Sequence, residues 1–162
     1  MTRIRAVTGS IVFLFLAPGM VAGAVPYWIK GWPRPRLDLL SAGGGVVTVL
    51  GALLLLECFG RFALQGRGTP APVAPPARLV VTGPYRRVRN PMYVAVLAMI
   101  FGQAALFGSW PLAVYGLAIW AAFHVFVLAY EEPTLRRTFP DDYAAFVAAV
   151  PRWRPRLRPW RG

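Results

Sequence analysis

The densest polar stretch of an otherwise apolar chain lies at residues 83–93 and reads Gly83-Pro84-Tyr85-Arg86-Arg87-Val88-Arg89-Asn90-Pro91-Met92-Tyr93. An apolar run from Val94 to Phe107 follows directly, and a second polar group, Glu131-Glu132-Pro133, ends the next apolar run. If these two runs form a membrane hairpin, both polar groups emerge on the same side of the bilayer. The sequence therefore predicts that a cluster of arginines and tyrosines faces a pair of carboxylates.

Composition indicates a membrane protein. Hydrophobic residues make up 57% of the 162 residues and the mean hydropathy is +0.51, above the apolar share of an average soluble domain. Each of four apolar runs is near the ~20 residues that cross a bilayer core. The runs cover residues 6–29, 37–62, 92–107 and 110–130. We expect an all-α integral membrane protein, one domain over residues 1–162, with about four transmembrane helices and a C-terminal amphipathic interfacial helix.

The charge pattern indicates how the protein is oriented in a membrane, and it does not indicate nucleic-acid binding. The net charge is +12, from 18 basic and 6 acidic residues, and the arginines cluster at the ends of the apolar runs. Such residues orient a membrane protein and meet anionic headgroups, so we expect membrane lipids and no nucleic acid as partners. The positive-inside rule places both termini and both large polar regions in the cytoplasm. In a bacterium this would be the inner membrane.

Single cysteine and histidine residues limit the chemistry. Cys58 alone excludes an intramolecular disulfide and a CxxC motif, and His124 alone excludes a site built from several histidines. We therefore expect no metal site. Glu57 near the end of the second run is either a functional group within a span or the partner of Arg61, four residues later on the helix.

The two ends of the chain leave further questions. Ala22-Gly23-Ala24 after a basic start resembles a signal-peptide cleavage site, whereas the continuation of the run through Tyr27 and Trp28 favours a retained span. Gly- and Pro-rich residues 65–77 predict an extended linker. After Pro133, which should break the fourth helix or start a new one, apolar residues at spacings of three and four predict an amphipathic helix on the membrane, interrupted at Pro140.

The two polar groups can recognise a zwitterion. Adjacent Glu131 and Glu132 repel each other and require a cation, which could simply be Arg136 and Arg137 one turn later. Arginine forks in residues 86–89 can hold a carboxylate or phosphate, although arginines beside a membrane span also serve topology alone. The flanking tyrosines and the turn at Asn90 are harder to explain in that way. A cofactor with a purine, a carboxylate and a positive centre would fit.

A longer pattern names a family. The chain has Gly83-Pro84-Tyr85, then Arg89-Asn90-Pro91-x-Tyr93, Gly102, Glu131-Glu132-x-x-Leu135, Phe139, Tyr143 and Val150-Pro151. This pattern resembles the isoprenylcysteine carboxyl methyltransferase family and, more distantly, the phosphatidylethanolamine N-methyltransferases. The resemblance covers about residues 79–153.

The resemblance implies a membrane methyltransferase that uses S-adenosyl-L-methionine and takes a lipid or lipidated substrate sideways from the bilayer. Its cofactor-binding segments would be residues 79–93 and 131–155. The implied cofactor residues are Tyr85, Arg86, Arg89, Asn90, Pro91, Tyr93, Gly102, Glu131, Glu132 and Tyr143. Pro151 to Trp153 would form a lid or wall.

Catalytic roles are implied for four residues. Glu131 and Glu132 would contact the cofactor or take a proton from an amine acceptor, and Arg136 or Arg137 would orient a carboxylate acceptor. The chain departs from the family pattern at Asn90, which replaces a histidine, at Ala95 and at Pro140. A phospholipid N-methyltransferase, a membrane reductase using a nicotinamide cofactor and a basic membrane scaffold are the alternatives. The acceptor and the oligomeric state stay open.

Overall fold

Five helices form the part of the chain that the computed structural model describes, residues 8–9, 12–36, 38–61 and 79–161. They are α1 (Val12–Lys30), α2 (Leu39–Arg61), α3 (Pro91–Leu106), α4 (Trp110–Thr138) and α5 (Pro140–Ala149). A short 3₁₀ turn, Gly83–Arg86, precedes α3. The predicted all-helical fold is confirmed, with no strand in this part. The predicted linker 65–77 and the start of the first run lie outside the described residues.

Three of these helices, α1, α2 and α4, are long and apolar enough to cross a membrane. Helix α3 has 16 residues, so its length is about 24 Å and falls short of a bilayer core of about 30 Å. Large apolar side chains point outward along α2 and α4, such as Leu50, Leu53 and Leu117. The chain is therefore an integral membrane protein in which three helices meet the length of a span and the fourth is shorter.

Helices α2 and α3 approach closely because glycines line their contact. A Cβ on Gly44 would lie 2.6 Å from the Gly102 carbonyl oxygen, and a Cβ on Gly102 would lie 2.8 Å from the Gly44 oxygen. On Gly51 a Cβ would lie 2.9 Å from the Ala95 oxygen. Small residues let membrane helices bring their backbones together in this way. This contact fixes α3, and with it residues 83–90, against α2.

Two π-helical stretches, Phe15–Ala24 in α1 and Val127–Glu131 in α4, end just before a proline. The Glu132 N–H donates to the Val127 carbonyl five residues back. Because Pro133 has no N–H, a regular α-helix would lose a hydrogen bond here, and the wider turn accommodates the gap. Helix α4 therefore runs on through Pro133 to Thr138, where the sequence predicted a break or a new start.

Helix α1 is tied to the bundle at carbonyls that precede Pro26. The Tyr115 hydroxyl donates to the Val21 oxygen (2.8 Å), and the Gln103 side-chain amide donates to the Ala22 oxygen (2.7 Å). A proline leaves carbonyls of the preceding turn without their usual donor. Side chains of α3 and α4 supply it, so that α1 is held by polar as well as apolar contacts.

Helix α5 turns its apolar face toward the rest of the chain. The backbone leaves helical geometry at Phe139 (φ −136°, ψ 66°), and Pro140 begins the new helix. Tyr143, Phe146 and Val150 are buried there. Leu79, Val81, Leu135 and Trp160 pack against them. The periodicity that predicts an amphipathic helix is therefore explained, at least in part, by packing against the protein itself.

Candidate active site

The site is assembled from three segments at one end of the bundle: residues 83–93, the end of α4, and residues 150–161, which we call the C-terminal strap. Three backbone hydrogen bonds join the strap to the first segment. The Arg89 N–H donates to the Pro151 oxygen (2.9 Å), the Arg156 N–H to the Arg87 oxygen (2.9 Å) and the Trp160 N–H to the Arg86 oxygen (2.8 Å). The strap thereby runs along the first of the two polar segments that the sequence singled out.

Glu132 lies between two arginines. Arg89 Nη1 is 3.1 Å from Glu132 Oε1, while Arg152 donates through Nε to Oε1 (2.6 Å) and through Nη2 to Oε2 (3.1 Å). The Arg89 and Glu132 side chains are only 10% and 9% exposed, so the carboxylate can be buried only because both cations neutralise it. The bond to Glu132 also raises the pKa of Arg152, which keeps this guanidinium charged.

Glu131 has different surroundings from its neighbour. Tyr93 Oη donates to Glu131 Oε2 at 2.8 Å, and both residues line an internal cavity. Consecutive residues of a regular helix already diverge by about 100°, and here the π-helical turn Val127–Glu131 sets which residue faces which partner. The two adjacent carboxylates thus lie in different environments: Glu132 in an ionic cluster and Glu131 in the cavity wall.

The cavity has a volume of about 340 Å³ and is largely apolar. Helices α1, α2, α3 and α4 all contribute to its wall. Its apolar lining is Phe13, Ala17, Pro18, Val21, Leu55, Phe59, Pro91, Met92, Val96, Phe123 and Phe126. Tyr85, Arg89, Asn90, Tyr93 and Glu131 add the polar groups. An apolar pocket with a few convergent polar groups is typical of a ligand site.

Arg89, a residue of this cavity wall, has a buried side-chain donor without a described partner. Its Nε is buried and has no hydrogen-bond partner among the described residues, although its Nη1 contacts Glu132. A buried cationic donor without an acceptor is costly. Since two arginines share one glutamate, the cluster also retains one net positive charge. Both features suit an anionic group of a ligand.

Asn90 and two tyrosines complete this part of the structure. Asn90 is buried and its Nδ2 donates to the Arg152 oxygen (3.2 Å). Burial raises the pKa of Tyr85 well above its usual range, so its phenol stays protonated. Burial, with Glu132 nearby, also raises the pKa of Tyr143. Tyr143 thus lies beside the ionic cluster and is not part of the cavity lining.

Four of the predicted site residues lie elsewhere. Gly102 is at the contact between α2 and α3 and is absent from the cavity lining. Arg86 Nε donates to the Trp160 oxygen (2.5 Å), which ties it to the strap. Arg136 and Arg137 are exposed, and Arg137 Nε donates to the Pro133 oxygen (3.2 Å). The cation partners of Glu132 are therefore Arg89 and Arg152, with Arg136 acting only at longer range.

The structure adds residues that sequence reasoning missed. Arg152 lies in the segment Pro151 to Trp153, for which the resemblance implied a lid or wall, but its pairing with Glu132 was not predicted, because nothing local marks that contact. The cavity lining from α1 was also missed, since apolar residues of a span all look alike. Trp153 Nε1 donates to His124 Nδ1 (3.1 Å), which joins the strap to α4. His124 is therefore a packing residue held between Trp153 and the ring of Trp120.

Comparison with known proteins identifies the family. The profile of the phospholipid methyltransferase family matches residues 39–142. The chain belongs to the phospholipid methyltransferase family. The resemblance found in the sequence motifs is thereby confirmed, and membership indicates a membrane methyltransferase. The match ends before Arg152 and Trp153, so the strap lies beyond it.

Two relatives of this phospholipid methyltransferase family member carry names from metal resistance. The chain is 26% identical over 162 residues to the cobalt-zinc-cadmium resistance protein CzcN of Cupriavidus metallidurans, covering all of this chain and 68% of that protein. It is 38% identical over 85 residues to the nickel-cobalt-cadmium resistance protein NccN of Alcaligenes xylosoxydans xylosoxydans. That match covers 51% of this chain and 38% of the relative.

Proposed function

We propose that the protein transfers a methyl group from S-adenosyl-L-methionine to a membrane-embedded acceptor whose reacting atom carries a proton, an amine or a hydroxyl. The observation that carries the proposal is that Arg89 and Glu131, a cation and a carboxylate, both line one largely apolar cavity. One group suits an anion of the methyl donor. The other suits a proton of the acceptor.

The residues fit S-adenosylmethionine on two counts. The Arg89 guanidinium lines the cavity and suits the methionine carboxylate, and Arg152, which shares Glu132 with Arg89, keeps the three-residue cluster net positive. The rings of Tyr93 and Phe123 are 4.5 Å apart, and Trp153 is 6.4 Å from Tyr93. This aromatic group offers a face for adenine. When bound, S-adenosylmethionine would supply an electrophilic methyl group.

Glu131 is the candidate proton acceptor. Tyr93 Oη holds one carboxylate oxygen at 2.8 Å, and no described residue donates to the other. A base with a fixed orientation can take a proton from a nucleophile brought within hydrogen-bond reach. The apolar lining would hold the acceptor's lipid part and exclude water from the reacting atoms. Position and electrostatics would then supply most of the rate enhancement.

The same geometry disfavours a carboxylate acceptor. A second carboxylate beside Glu131 would be repelled, and Arg136 and Arg137, the residues expected to orient it, are exposed outside the cavity. Glu132 is already shared by two arginines. We therefore favour a phospholipid N-methyltransferase-like reaction over carboxyl methylation of an isoprenylcysteine. The proposal also places the site on the cytoplasmic side, following the distribution of arginines.

The test is transfer of a labelled methyl group in nanodiscs. The purified protein receives S-adenosylmethionine carrying tritium in its methyl group, with amino, hydroxyl or carboxyl lipids supplied separately. We expect label in an amino or hydroxyl lipid and a loss of at least about 100-fold in Glu131→Gln. The matched control Asp141→Asn, which removes an exposed carboxylate from α5, should retain the rate.

Other outcomes would decide against parts of this proposal. Label in the carboxyl lipid alone would identify the isoprenylcysteine-type reaction. If calorimetry detects binding of NADPH and none of S-adenosylmethionine, the protein is a membrane reductase instead. Binding of neither, together with tolerance of Glu131→Gln, would support a lipid-binding scaffold.

The similarity to resistance proteins suggests a physiological setting. We propose that methylation of a membrane lipid contributes to cobalt, zinc or cadmium tolerance. No group of three or more His, Cys, Asp or Glu among the described residues is placed to hold a metal ion, so the proposal does not rest on metal binding by the bundle. Expression of the protein should raise tolerance, and Glu131→Gln should abolish the gain. Equal tolerance with both would separate resistance from methyl transfer.

A further inference from the structure

The outer face of the C-terminal strap carries an unbalanced positive charge. Arg154, Arg158 and Arg161 are exposed, and so is Arg87 on the neighbouring turn. None of these four guanidinium groups forms a salt bridge with a described residue. The backbone bond from Arg156 to Arg87 places the strap beside that turn. Four exposed cations on or beside the strap are therefore available to an anionic partner outside the chain.

The start of the strap lies beside the end of the apolar run of α4. Trp153 is hydrogen-bonded to His124, and His124 stacks on Trp120, which is 42% exposed on the outer surface of α4. His124 is six residues before Tyr130, the end of the apolar run, so this contact lies about 9 Å inside that end. Residues that directly follow Trp153 must therefore emerge near the headgroups.

An apolar side chain accompanies the cations. Leu157 is 93% exposed and stands between Arg156 and Arg158. Single exposed leucines are common, but this one is held outward by anchored neighbours. Arg156 Nη1 donates to the Ala149 oxygen (2.6 Å), and the Trp160 N–H donates to the Arg86 oxygen. The strap thus presents arginines around an apolar residue in a fixed arrangement.

We propose that this face of the strap docks on anionic phospholipid headgroups of the leaflet that borders the site, with Leu157 inserted among the acyl chains. Arginine forks match phosphate oxygens, and an apolar residue beside them adds burial at the interface. The depth of Trp153 and the exposure of Leu157 favour a bilayer over nucleic acid or a free anion as the partner.

Docking would also stabilise the site, because the same strap supplies Arg152 to Glu132 and the Pro151 oxygen to the Arg89 N–H. This consequence does not depend on methyl transfer. It predicts that anionic lipid raises the thermal stability of the cluster whatever the reaction is.

The experiment places a fluorophore on the strap of the full chain. Leu157→Cys is labelled with an environment-sensitive dye, since the native Cys58 is completely buried. The protein is reconstituted in nanodiscs with graded phosphatidylglycerol in phosphatidylcholine. We expect a blue shift and quenching by spin-labelled lipid that grow with phosphatidylglycerol. The triple variant Arg154→Gln/Arg158→Gln/Arg161→Gln should weaken this preference on the order of 100-fold.

The matched control removes three charges from the opposite end of the bundle, Lys30→Gln/Arg34→Gln/Arg36→Gln, and should leave the response unchanged. The proposal would be overturned if the dye emission did not change with phosphatidylglycerol content, or if it changed equally in both triple variants. So would inorganic phosphate or a short DNA duplex that reproduces the shift in phosphatidylcholine alone. If the strap triple variant does not fold, the graded phosphatidylglycerol series on the labelled Leu157→Cys protein still tests the proposal.

Discussion

The two ends of the bundle use polar residues in opposite ways. At the end away from the site, Gln103 is satisfied by the chain itself: its Nε2 donates to the Ala22 oxygen (2.7 Å) and the Met99 oxygen (3.1 Å), and its Oε1 accepts from Trp32 Nε1 (3.0 Å). At the site end, Arg89 keeps a buried donor without a described partner. Both side chains are polar and largely buried, yet only Arg89 keeps a donor without a described partner.

This difference separates structural from functional polarity in a membrane bundle. A satisfied group stabilises helix association, whereas a group that keeps unused capacity is held there by its surroundings at a cost. Ser109, at the start of α4, also has a buried oxygen without a partner among the described residues. Ser109 is neutral and does not line the cavity, so it is a weaker indication of a ligand site than Arg89.

The largest effect should follow from Glu132→Gln. It removes the charge that neutralises Arg89 and Arg152, so we expect the free energy of unfolding to fall by about 3 kcal/mol. This is near the lower value for breaking a buried ion pair, because glutamine keeps one acceptor oxygen. Methyl transfer should fall at least about 100-fold, while membrane insertion persists. Thermal unfolding and the labelled-methyl assay measure the two. Unchanged turnover would remove Glu132 from the site.

Gln103→Leu tests the satisfied end. It leaves the Ala22 oxygen and the Trp32 indole without their partners, and we expect a loss of about 2 kcal/mol in the free energy of unfolding. Affinity for S-adenosylhomocysteine, measured by calorimetry, should stay unchanged. A tenfold loss of that affinity with normal stability would show that the two ends do not divide their roles as we describe.

Gly102→Ala addresses a residue that the sequence motif assigned to the cofactor. A Cβ there would meet Thr48 and Gly44 on α2, so we expect overpacking to lower stability by about 1–3 kcal/mol. Cofactor affinity should change little. A matched change at Gly43, where a Cβ would meet nothing within 4 Å, should leave cofactor affinity unchanged and should raise stability slightly, by up to about 1 kcal/mol.

Glu57→Gln should have the smallest effect. Glu57 and Arg61 form an ion pair at 2.7 Å, with side chains 49% and 28% exposed. The sequence offers this pairing as the alternative to a functional role of Glu57. Exposed pairs contribute below about 1 kcal/mol. A loss of methyl transfer that corresponds to more than about 1 kcal/mol would mean that the ion pair also positions Arg61. The Arg61 guanidinium lies over Gly83, at the start of the site segment.

Much of the architecture could be predicted because its signals are local. Apolar runs mark spans, Pro91 marks the start of α3, and the proximity of the 83–93 and 131–132 segments follows from a hairpin with a short turn at Gly108-Ser109. The Arg89–Glu132 contact is the direct outcome of that hairpin.

Other parts depend on contacts that no local pattern encodes. Arg152 reaches Glu132 only because the strap folds back over residues 86–89. Phe13 and Pro18 reach the cavity because α1 docks against α3 and α4 through Gln103 and Tyr115. For Gly102 the resemblance implied both room between helices and a place in the cofactor site, and motif spacing could not show that its neighbours are Thr48 and Gly44 of α2.

The wide turn at Val127–Glu131 sets the phase of everything that follows it on α4. A π-helical turn holds an extra residue, so the residues after it lie about 100° from where a regular helix of the same number of residues would carry them. Relaxation of this turn to regular geometry at unchanged chain length would rotate Glu131 and Glu132 away from Tyr93 and the two arginines. Loss of one codon within the turn would cancel that rotation, so a deletion here should be better tolerated than a deletion elsewhere along α4.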